Sequence, residues 1–314
     1  MLIATDSVER FRWWPMKIYF GHTELDYPGA EMGELRDSNA LLGDADALHA
    51  RMAEDGYLLM RKLIDPAKVQ RARQHIFEYM AEHEGLEPGS RPLDGVMGEY
   101  GKGVGLMGRK PITHDPAVRD VLEAEELFAF YENYFAEGAR TFDYKWLRAV
   151  GNEAYTGAHF DFVYMGRGSA RLHTCWIPFG TATPDHGTLA ICVGSHRDAS
   201  FERLRETYGR TDVDRDRTPG WFTNEPMEIT EQFGGQWATT TFEPGDIITF
   251  GMHTMHASTT NLTDRWRLSC DVRFQPVSEP VDDRWVGDNP TSHRSDGPPK
   301  PPVSIEAARA AWGL

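Results

Sequence analysis

Three residues of this chain have the types and spacing needed to bind a metal ion together. His159 and Asp161 are two positions apart, and in a β-strand residues i and i+2 project from the same side, so an imidazole and a carboxylate would point at one place. A second histidine from a neighbouring strand would complete the two-histidine, one-carboxylate set that holds non-haem iron(II) and leaves coordination positions open. His253 and His256 follow the apolar run 247–251, and the spacing alone allows either to be that third ligand.

The triplet by itself is weak evidence, because twelve histidines in an Asp-rich chain produce it more than once. His196 and Asp198 repeat the pattern directly after Gly194-Ser195. Glycine and serine at the end of an apolar run favour a turn. We therefore interpret His196 as a turn residue and the 159–161 triplet as the candidate ligand pair.

A cation downstream of the histidines would suit an acidic co-substrate. Arg267 begins a predicted strand and could reach back into the same barrel, and Arg265 shares its face. A planar guanidinium binds a carboxylate through two hydrogen bonds and stays charged when buried. Ser269 also shares the face of Arg267, as a weaker candidate for the same site.

The sequence resembles the phytanoyl-CoA dioxygenase family of iron(II)- and 2-oxoglutarate-dependent oxygenases from about residue 50 to 275. The matching segments are Gly56-Tyr57-Leu58-Leu59-Met60-Arg61, His159-Phe160-Asp161, Trp176-Ile177-Pro178, Asp185-His186-Gly187-Thr188-Leu189, Val193-Gly194-Ser195-His196-Arg197, and His256-Ala257-Ser258 with Asn261 and Arg267.

The resemblance implies specific roles. It makes His159, Asp161 and His256 the iron ligands, and Arg267 the residue that binds the distal carboxylate of 2-oxoglutarate. By the same resemblance Ser258 assists Arg267, and Trp176 lines the co-substrate site. Halogenating relatives lack the carboxylate ligand, so Asp161 favours oxygen insertion.

Two halves of different character must position these residues. The first half is mainly helical: helical periodicity begins at Asp44, Asp65-Pro66 is a typical N-cap and first helical turn, and a further helix is expected at about 118–136. The second half predicts short strands at 144–150, 158–165, 171–179, 188–193, 237–242, 247–251 and 267–274. We expect an α+β protein with a double-stranded β-helix (jelly-roll) core and N-terminal and flanking helices.

The chain is expected to divide into three parts. Residues 1–45 are expected to be an irregular N-terminal extension, residues 46–276 a single catalytic domain with a helical first part, and residues 277–314 a Pro-rich tail, wrapped on the surface, with one short helix. The charged, turn-rich segment 196–235 is interpreted as an insertion between strands, and with 86–112 as a possible source of specificity.

Composition excludes several classes of protein. A net charge of −15 without a basic block argues against nucleic acid or an anionic membrane surface as partner. No run approaches the roughly 20 apolar residues of a membrane span, and the N-terminus is not typical of a signal peptide, so we expect a cytoplasmic protein. Three cysteines without paired spacing predict buried thiols rather than disulfides or zinc.

The expected activity is oxidation of an unactivated C–H bond, most simply hydroxylation, in a small organic substrate, with iron(II), 2-oxoglutarate and O2. The alternatives are a jelly-roll metalloenzyme that needs no keto acid and a non-catalytic jelly-roll binding module. Lys145, Arg148, Tyr155, Tyr164 and His173 could contact substrate, although each could as well be a packed or surface residue. Substrate identity, oligomeric state and the choice between hydroxylation, desaturation, cyclisation and epimerisation stay open.

Overall fold

The structure is a computed structural model that describes residues 15–98, 103–294 and 301–314. Strands in these ranges are β1 (Met16–Phe20), β2 (Thr23–Tyr27), β3 (Met32–Glu34), β4 (Tyr57–Met60), β5 (Ala139–Thr141), β6 (Trp146–Val150), β7 (His173–Pro178), β8 (Leu189–Val193), β9 (Gln236–Thr239), β10 (Ile247–Gly251), β11 (His256–Ser258) and β12 (Arg267–Pro276).

Helices precede, flank and interrupt these strands. They are α1 (Ala45–Asp55), α2 (Pro66–Glu82), α3 (Lys110–Thr113), α4 (Pro116–Leu122), α5 (Glu125–Phe135), α6 (Phe162–Met165), α7 (Glu202–Glu206), α8 (Val213–Asp216), α9 (Met227–Phe233) and α10 (Ile305–Trp312). Short 3-10 helices lie at Asn39–Leu41, Pro92–Asp94, Ala199–Phe201, Tyr208–Arg210 and Asp283–Trp285. The chain is therefore a mixture of helix and sheet, as expected.

Two sheets carry the main architecture. The larger has the order β4-β10-β7-β12-β5, with β6 also pairing with β12, and the smaller has the order β11-β8-β9-β3. Strand β12 is antiparallel to β5, β6 and β7, so it links the strands of the larger sheet over ten residues. Side chains on a strand alternate between its faces, so every second residue of β12 projects to the same side.

The larger sheet lies between the helices and the smaller sheet. One of its faces shares a buried apolar cluster with α2, α4 and α5, and that cluster includes Cys175, Ile177, Cys270, Val272 and Phe274. The other face shares a cluster with the smaller sheet that includes Trp176, Ile248, Phe250, Leu189 and Ile191. The alternation of these positions along β7 and β12 means that 267, 269, 271 and 273 face away from the helices.

Local sequence signals explain several boundaries. Asp65 accepts a hydrogen bond from the Ala67 N–H (2.8 Å) and Pro66 occupies the first turn of α2, as predicted. The helix α1 ends where Gly56 adopts a left-handed conformation (φ 84°), which lets the chain turn directly into β4. The helix predicted at 118–136 is instead two helices, because the chain turns at 123–124 between α4 and α5.

The expectation of an irregular N-terminal extension is wrong for residues 16–34. Strands β1 and β2 form a hairpin, and β3 pairs in parallel with β9 in the smaller sheet. Ile18 and Phe20 in β1, and Leu25 and Tyr27 in β2, are buried at alternate positions, which is the period of a half-buried strand. Residues 1–14 of the predicted extension lie outside the described residues.

The segment after Pro276 is only partly the surface wrap that the sequence suggests. The short helix α10 lies where it was predicted. Asp282, Arg284 and Trp285, however, are buried, and Arg284 donates to both Asp282 and Asp214. This part of the segment is anchored in the body of the protein by a buried ion-pair network. The segment 196–235 contains α7, α8 and α9 between β8 and β9.

Two composition-based expectations can be compared with the structure. Cys175, Cys192 and Cys270 are free and buried, as expected. In the described parts of the chain, none of the helices combines the length and the apolar character needed to cross a membrane.

Candidate metal centre

Three buried side chains converge on one point. His159, Asp161 and His256 are buried, and one ligand atom from each lies within 4.8 Å of the others. The Nε2 atoms of His159 and His256 lie 3.8 and 3.9 Å from the Asp161 Oδ1 atom. These separations fit two imidazole nitrogens and one carboxylate oxygen arranged on one side of a small cation.

The two histidines are held in place by hydrogen bonds of their backbone and of their ring Nδ1 atoms. His159 and His256 form an isolated antiparallel bridge, each donating its N–H to the other's carbonyl (3.0 and 3.1 Å). The Nδ1 atom of His159 lies 2.8 Å from the Gly157 carbonyl, and that of His256 lies 3.0 Å from the Thr254 carbonyl. A carbonyl accepts but cannot donate, so Nδ1 carries the proton and Nε2 keeps the lone pair that a metal needs.

Burial keeps both rings in the form that can bind metal. It lowers the pKa of His159 to about 3, and it also lowers the pKa of His256, although the nearby Asp161 carboxylate acts in the opposite direction. The two imidazoles are therefore neutral at neutral pH, and no proton has to leave before a metal binds.

The carboxylate is not on a strand, contrary to the expectation for 158–165. Asp161 has a helical backbone conformation (φ −66°, ψ −21°) directly before α6. The turn is stabilised by the Phe162 N–H, which donates to the Met252 carbonyl (3.1 Å). The side chains of His159 and Asp161 still converge. Their directions are set by a turn that a distant segment stabilises, and not by the alternation of side chains along a strand.

Asp161 is kept ionised by its neighbours. Burial opposes ionisation of this carboxyl, but the Arg273 guanidinium and the two imidazoles hold its pKa well below its usual range. Arg273 Nη2 lies 3.3 Å from Oδ2, and Thr174 donates its hydroxyl to the same oxygen. The Asp161 Oδ2 atom is thus bound by Arg273 and Thr174, and the Oδ1 atom is left to face the two histidines.

A narrow cavity connects this cluster to a buried arginine. Its walls include His159, His256, Trp176, Ser258 and Arg267. Arg267 is 3% exposed, and its Nε donates to the Gly187 carbonyl (2.8 Å). Burial lowers the pKa of Arg267 to about 10, so the guanidinium remains charged at neutral pH.

The other predicted co-substrate residues lie around this guanidinium. Ser269 is fully buried and accepts a hydrogen bond from Arg267 Nη1, which fixes the orientation of the fork. Trp176 lies beneath it, with its ring centroid 5.7 Å from the Arg267 Cζ atom. The Ser258 hydroxyl accepts from the Thr156 N–H (2.8 Å), and Ser258 also borders the cavity.

The competing residues are directed elsewhere. His253 Nε2 lies 3.0 Å from the Gly209 carbonyl, and its ring stacks on Phe162, outside the three-residue cluster. Arg265 is exposed and donates to the Asp94 carbonyl. His196 occupies a turn and lies 3.0 Å from the Ala53 carbonyl, as expected for the repeated triplet.

Sequence reasoning identified Arg267 and Ser269 on one face of β12 but missed the other polar residues of the same row. Arg267, Ser269, Asp271 and Arg273 occupy alternate positions of β12, and Arg273 reaches Asp161 at the other end of the row. Gln275 continues the row, and five polar residues with period two in one strand are the signal that could have identified them.

The donor set fits a divalent first-row metal ion. Two neutral imidazole nitrogens and one carboxylate oxygen on one side form the facial set typical of non-haem iron(II), and the remaining side faces the cavity. In the described part of the chain, these three residues are the group that could hold such an ion.

Comparison with known proteins agrees with this geometry. The model of a family described as phytanoyl-CoA dioxygenase (PhyH) matches residues 52–269. The epimerase SnoN, solved in complex with Fe3+, alpha ketoglutarate and nogalamycin RO, is 17% identical with a TM-score of 0.54, over 81% of this chain and 96% of that chain.

Two further solved structures have similar folds. EctD from S. alaskensis in its apoform is 16% identical with a TM-score of 0.55, over 86% of this chain and 90% of that chain. AviO1 from Streptomyces viridochromogenes Tue57 is 16% identical with a TM-score of 0.52, over 78% of this chain and 98% of that chain. At this level of identity the likeness shows a shared fold.

Proposed function

Since this chain belongs to the phytanoyl-CoA dioxygenase family and is an iron- and 2-oxoglutarate-dependent dioxygenase, we propose that His159, Asp161 and His256 bind its iron(II). We further propose that Arg267 binds the distal carboxylate of 2-oxoglutarate, with Ser258, Ser269 and Trp176 completing that end of the cavity.

One observation carries the assignment of the co-substrate site. Arg267 is buried, charged and borders the same cavity as the metal-binding cluster, yet no carboxylate of the described residues lies within ion-pair distance of it. A buried guanidinium without a counter-ion is costly. An acidic co-substrate would remove that cost, and the keto-acid end would then extend towards the histidines.

The role of the protein is to bind, orient and exclude water. Iron(II), 2-oxoglutarate and O2 together supply, when bound, the oxidising power that breaks a C–H bond. His159 and His256 present lone pairs fixed by their Nδ1 hydrogen bonds, and Asp161 presents one oxygen because the other is held by Arg273 and Thr174. Burial of all three keeps bulk water from the reacting centre.

The finer points of fold and substrate are also proposals. We assign the two facing sheets to a double-stranded β-helix, and the reaction to oxidation, most simply hydroxylation, of a small organic molecule. SnoN, which has a similar fold, is described as an epimerase, so epimerisation stays an alternative outcome of the same hydrogen abstraction. A cytoplasmic location and the absence of a nucleic-acid partner stay predictions from composition.

Succinate formation tests the proposal. Purified protein should convert 2-oxoglutarate to succinate slowly without added substrate, and only when iron(II), 2-oxoglutarate and O2 are all present. Replacing Asp161 with asparagine should reduce the rate at least ~100-fold, because a neutral amide oxygen binds a divalent cation more weakly than a charged carboxylate does. Asp198→Asn, in the repeated triplet, is the matched control and should stay within about twofold of the wild type.

Two results would count against this function. Succinate formed equally well by Asp161→Asn would remove the metal assignment. A wild-type protein that binds iron(II) but never consumes 2-oxoglutarate would favour a metalloenzyme that needs no keto acid.

A further inference from the structure

A second arginine borders the cavity, and its binding capacity is only partly used. Arg148 lies on β6 and lines the cavity together with His159, His256 and Arg267. Its Nε donates to the Asp271 Oδ2 atom (3.0 Å). No other hydrogen bond or ion pair joins the Arg148 guanidinium to a described residue, and a third of the side chain (33%) is exposed. Its two terminal nitrogens are therefore available to a molecule in the cavity.

The register of the sheet separates Arg148 from Arg267. Arg148 lies opposite Ser269, and its guanidinium is anchored on Asp271, two residues further along β12. The next residue on the same face of β12 is Arg273, which contacts Asp161. Arg148 is thus displaced from the Arg267 end of the cavity towards the metal-binding cluster.

The charges along this row do not cancel. Arg148, Arg267 and Arg273 carry three positive charges, whereas Asp161 and Asp271 carry two negative ones. A divalent metal ion and dianionic 2-oxoglutarate cancel each other, so one positive charge remains in excess in the loaded site. Arg148 is the one of these three arginines that is partly exposed, and an anion that enters the cavity would compensate the excess positive charge there.

We propose that Arg148 binds an oxyanion of the organic substrate, so that the enzyme acts on small molecules carrying a carboxylate or a chemically similar group. This inference rests on the proposed function, because it assigns 2-oxoglutarate to Arg267 and leaves Arg148 for the substrate. A planar guanidinium held at Nε presents its two terminal nitrogens as a fork, which matches two carboxylate oxygens.

The test compares matched carboxylates and carboxamides on the metal-loaded protein without O2. The probes are phenylacetate with phenylacetamide and hexanoate with hexanamide. Each is titrated into protein saturated with iron(II) and 2-oxoglutarate, and the change in the weak visible charge-transfer band is followed. A probe that displaces 2-oxoglutarate bleaches the band, whereas a probe that binds beside it shifts the band.

At least one carboxylate should shift the band with an affinity at least ~10-fold higher than its amide, as expected for loss of a charge-assisted hydrogen bond. In Arg148→Met this preference should fall to within about twofold, while the affinity for 2-oxoglutarate stays within about twofold. A double variant, Arg148→Met with Asp271→Asn, avoids leaving a carboxylate without its partner and should behave in the same way. Arg265→Met is the matched control and should keep the full preference.

Three results would overturn the inference. Amides that bind as tightly as carboxylates would remove the anionic substrate. A preference that persists in Arg148→Met would assign it to another residue, and a loss of 2-oxoglutarate affinity of ~10-fold in that variant would make Arg148 a co-substrate residue. A wild-type protein without any charge-transfer band would instead remove the proposed function, and this inference with it.

Discussion

The two ends of the cavity differ in how their charges are balanced. At the metal end, formed by His159, Asp161 and His256, the carboxylate is paired with Arg273 and Thr174 and both imidazoles are hydrogen-bonded to carbonyls. At the arginine end, Arg267 is hydrogen-bonded only to a carbonyl and a hydroxyl, without a carboxylate among the described residues. The three ligands at the metal end therefore have partners within the protein, whereas we propose that the arginine end binds an anion from solution.

This difference has a physical consequence. Neutral imidazoles and an ionised carboxylate that are already oriented bind a metal without reorganisation of the protein. A buried cation without a counter-ion raises the free energy of the protein until an anion arrives, so part of the binding energy of the anion comes from removing that cost. The two ends should therefore respond differently to substitution.

Removing the charge at the arginine end should have the largest selective effect. Arg267→Met keeps the apolar stem but loses the fork, and the affinity for 2-oxoglutarate should fall about 10- to 100-fold. The affinity for iron(II) should change by less than about twofold, because the ligands and their hydrogen-bond partners are untouched. Anaerobic titrations of each component measure both constants.

The neighbouring arginine provides the control for this substitution. Arg265→Met removes an exposed guanidinium and should leave both affinities within about twofold of the wild type. Weaker 2-oxoglutarate binding in Arg265→Met but not in Arg267→Met would reverse the assignment of the arginine end.

Acid should act on the metal end through the buried histidines. The pKa of His159 is lowered to about 3 in the folded state, whereas an unfolded histidine has a pKa of about 6.5. As pH falls below 6.5 the unfolded chain gains a proton that the native state does not, so stability decreases with falling pH. For His159 the loss from pH 7 to pH 5 is about 2 kcal/mol.

The free energy of unfolding of metal-free protein, measured with urea at pH 7 and pH 5, tests this loss. His159→Gln should reduce the decrease by about 2 kcal/mol, whereas His83→Gln, at an exposed position, should not. An unchanged decrease in His159→Gln would show that acid acts through other groups.

Part of this structure was predictable from local signals. The Asp65-Pro66 start of α2 and the strand Ile247–Gly251 depend on residues adjacent in sequence, and both were predicted with the right position. The spacing of His256, Ser258 and Arg267 was informative for the same reason, since β11 and β12 follow each other closely. The structure brings these residues to one cavity.

The remainder depended on contacts between distant segments. The turn that aims Asp161 is stabilised by Met252, ninety residues along the chain, so nothing near Asp161 indicated it. The strand β3 is ordered by pairing with β9, far away in sequence. The role of Arg273 appears only when β12 and α6 come together, although the period-two polar row in β12 was visible in the sequence.

The identity of the third metal ligand is the central claim that one measurement tests most directly. Iron(II) and 2-oxoglutarate are titrated without O2 into metal-free wild-type protein, His256→Ala and His253→Ala, and the visible charge-transfer band is recorded. The band should saturate in the wild type and in His253→Ala and should be lost in His256→Ala, because the His256 Nε2 atom lies 3.9 Å from the Asp161 Oδ1 atom whereas the His253 Nε2 atom lies 3.0 Å from the Gly209 carbonyl. A band that survives in His256→Ala and disappears in His253→Ala would contradict the account.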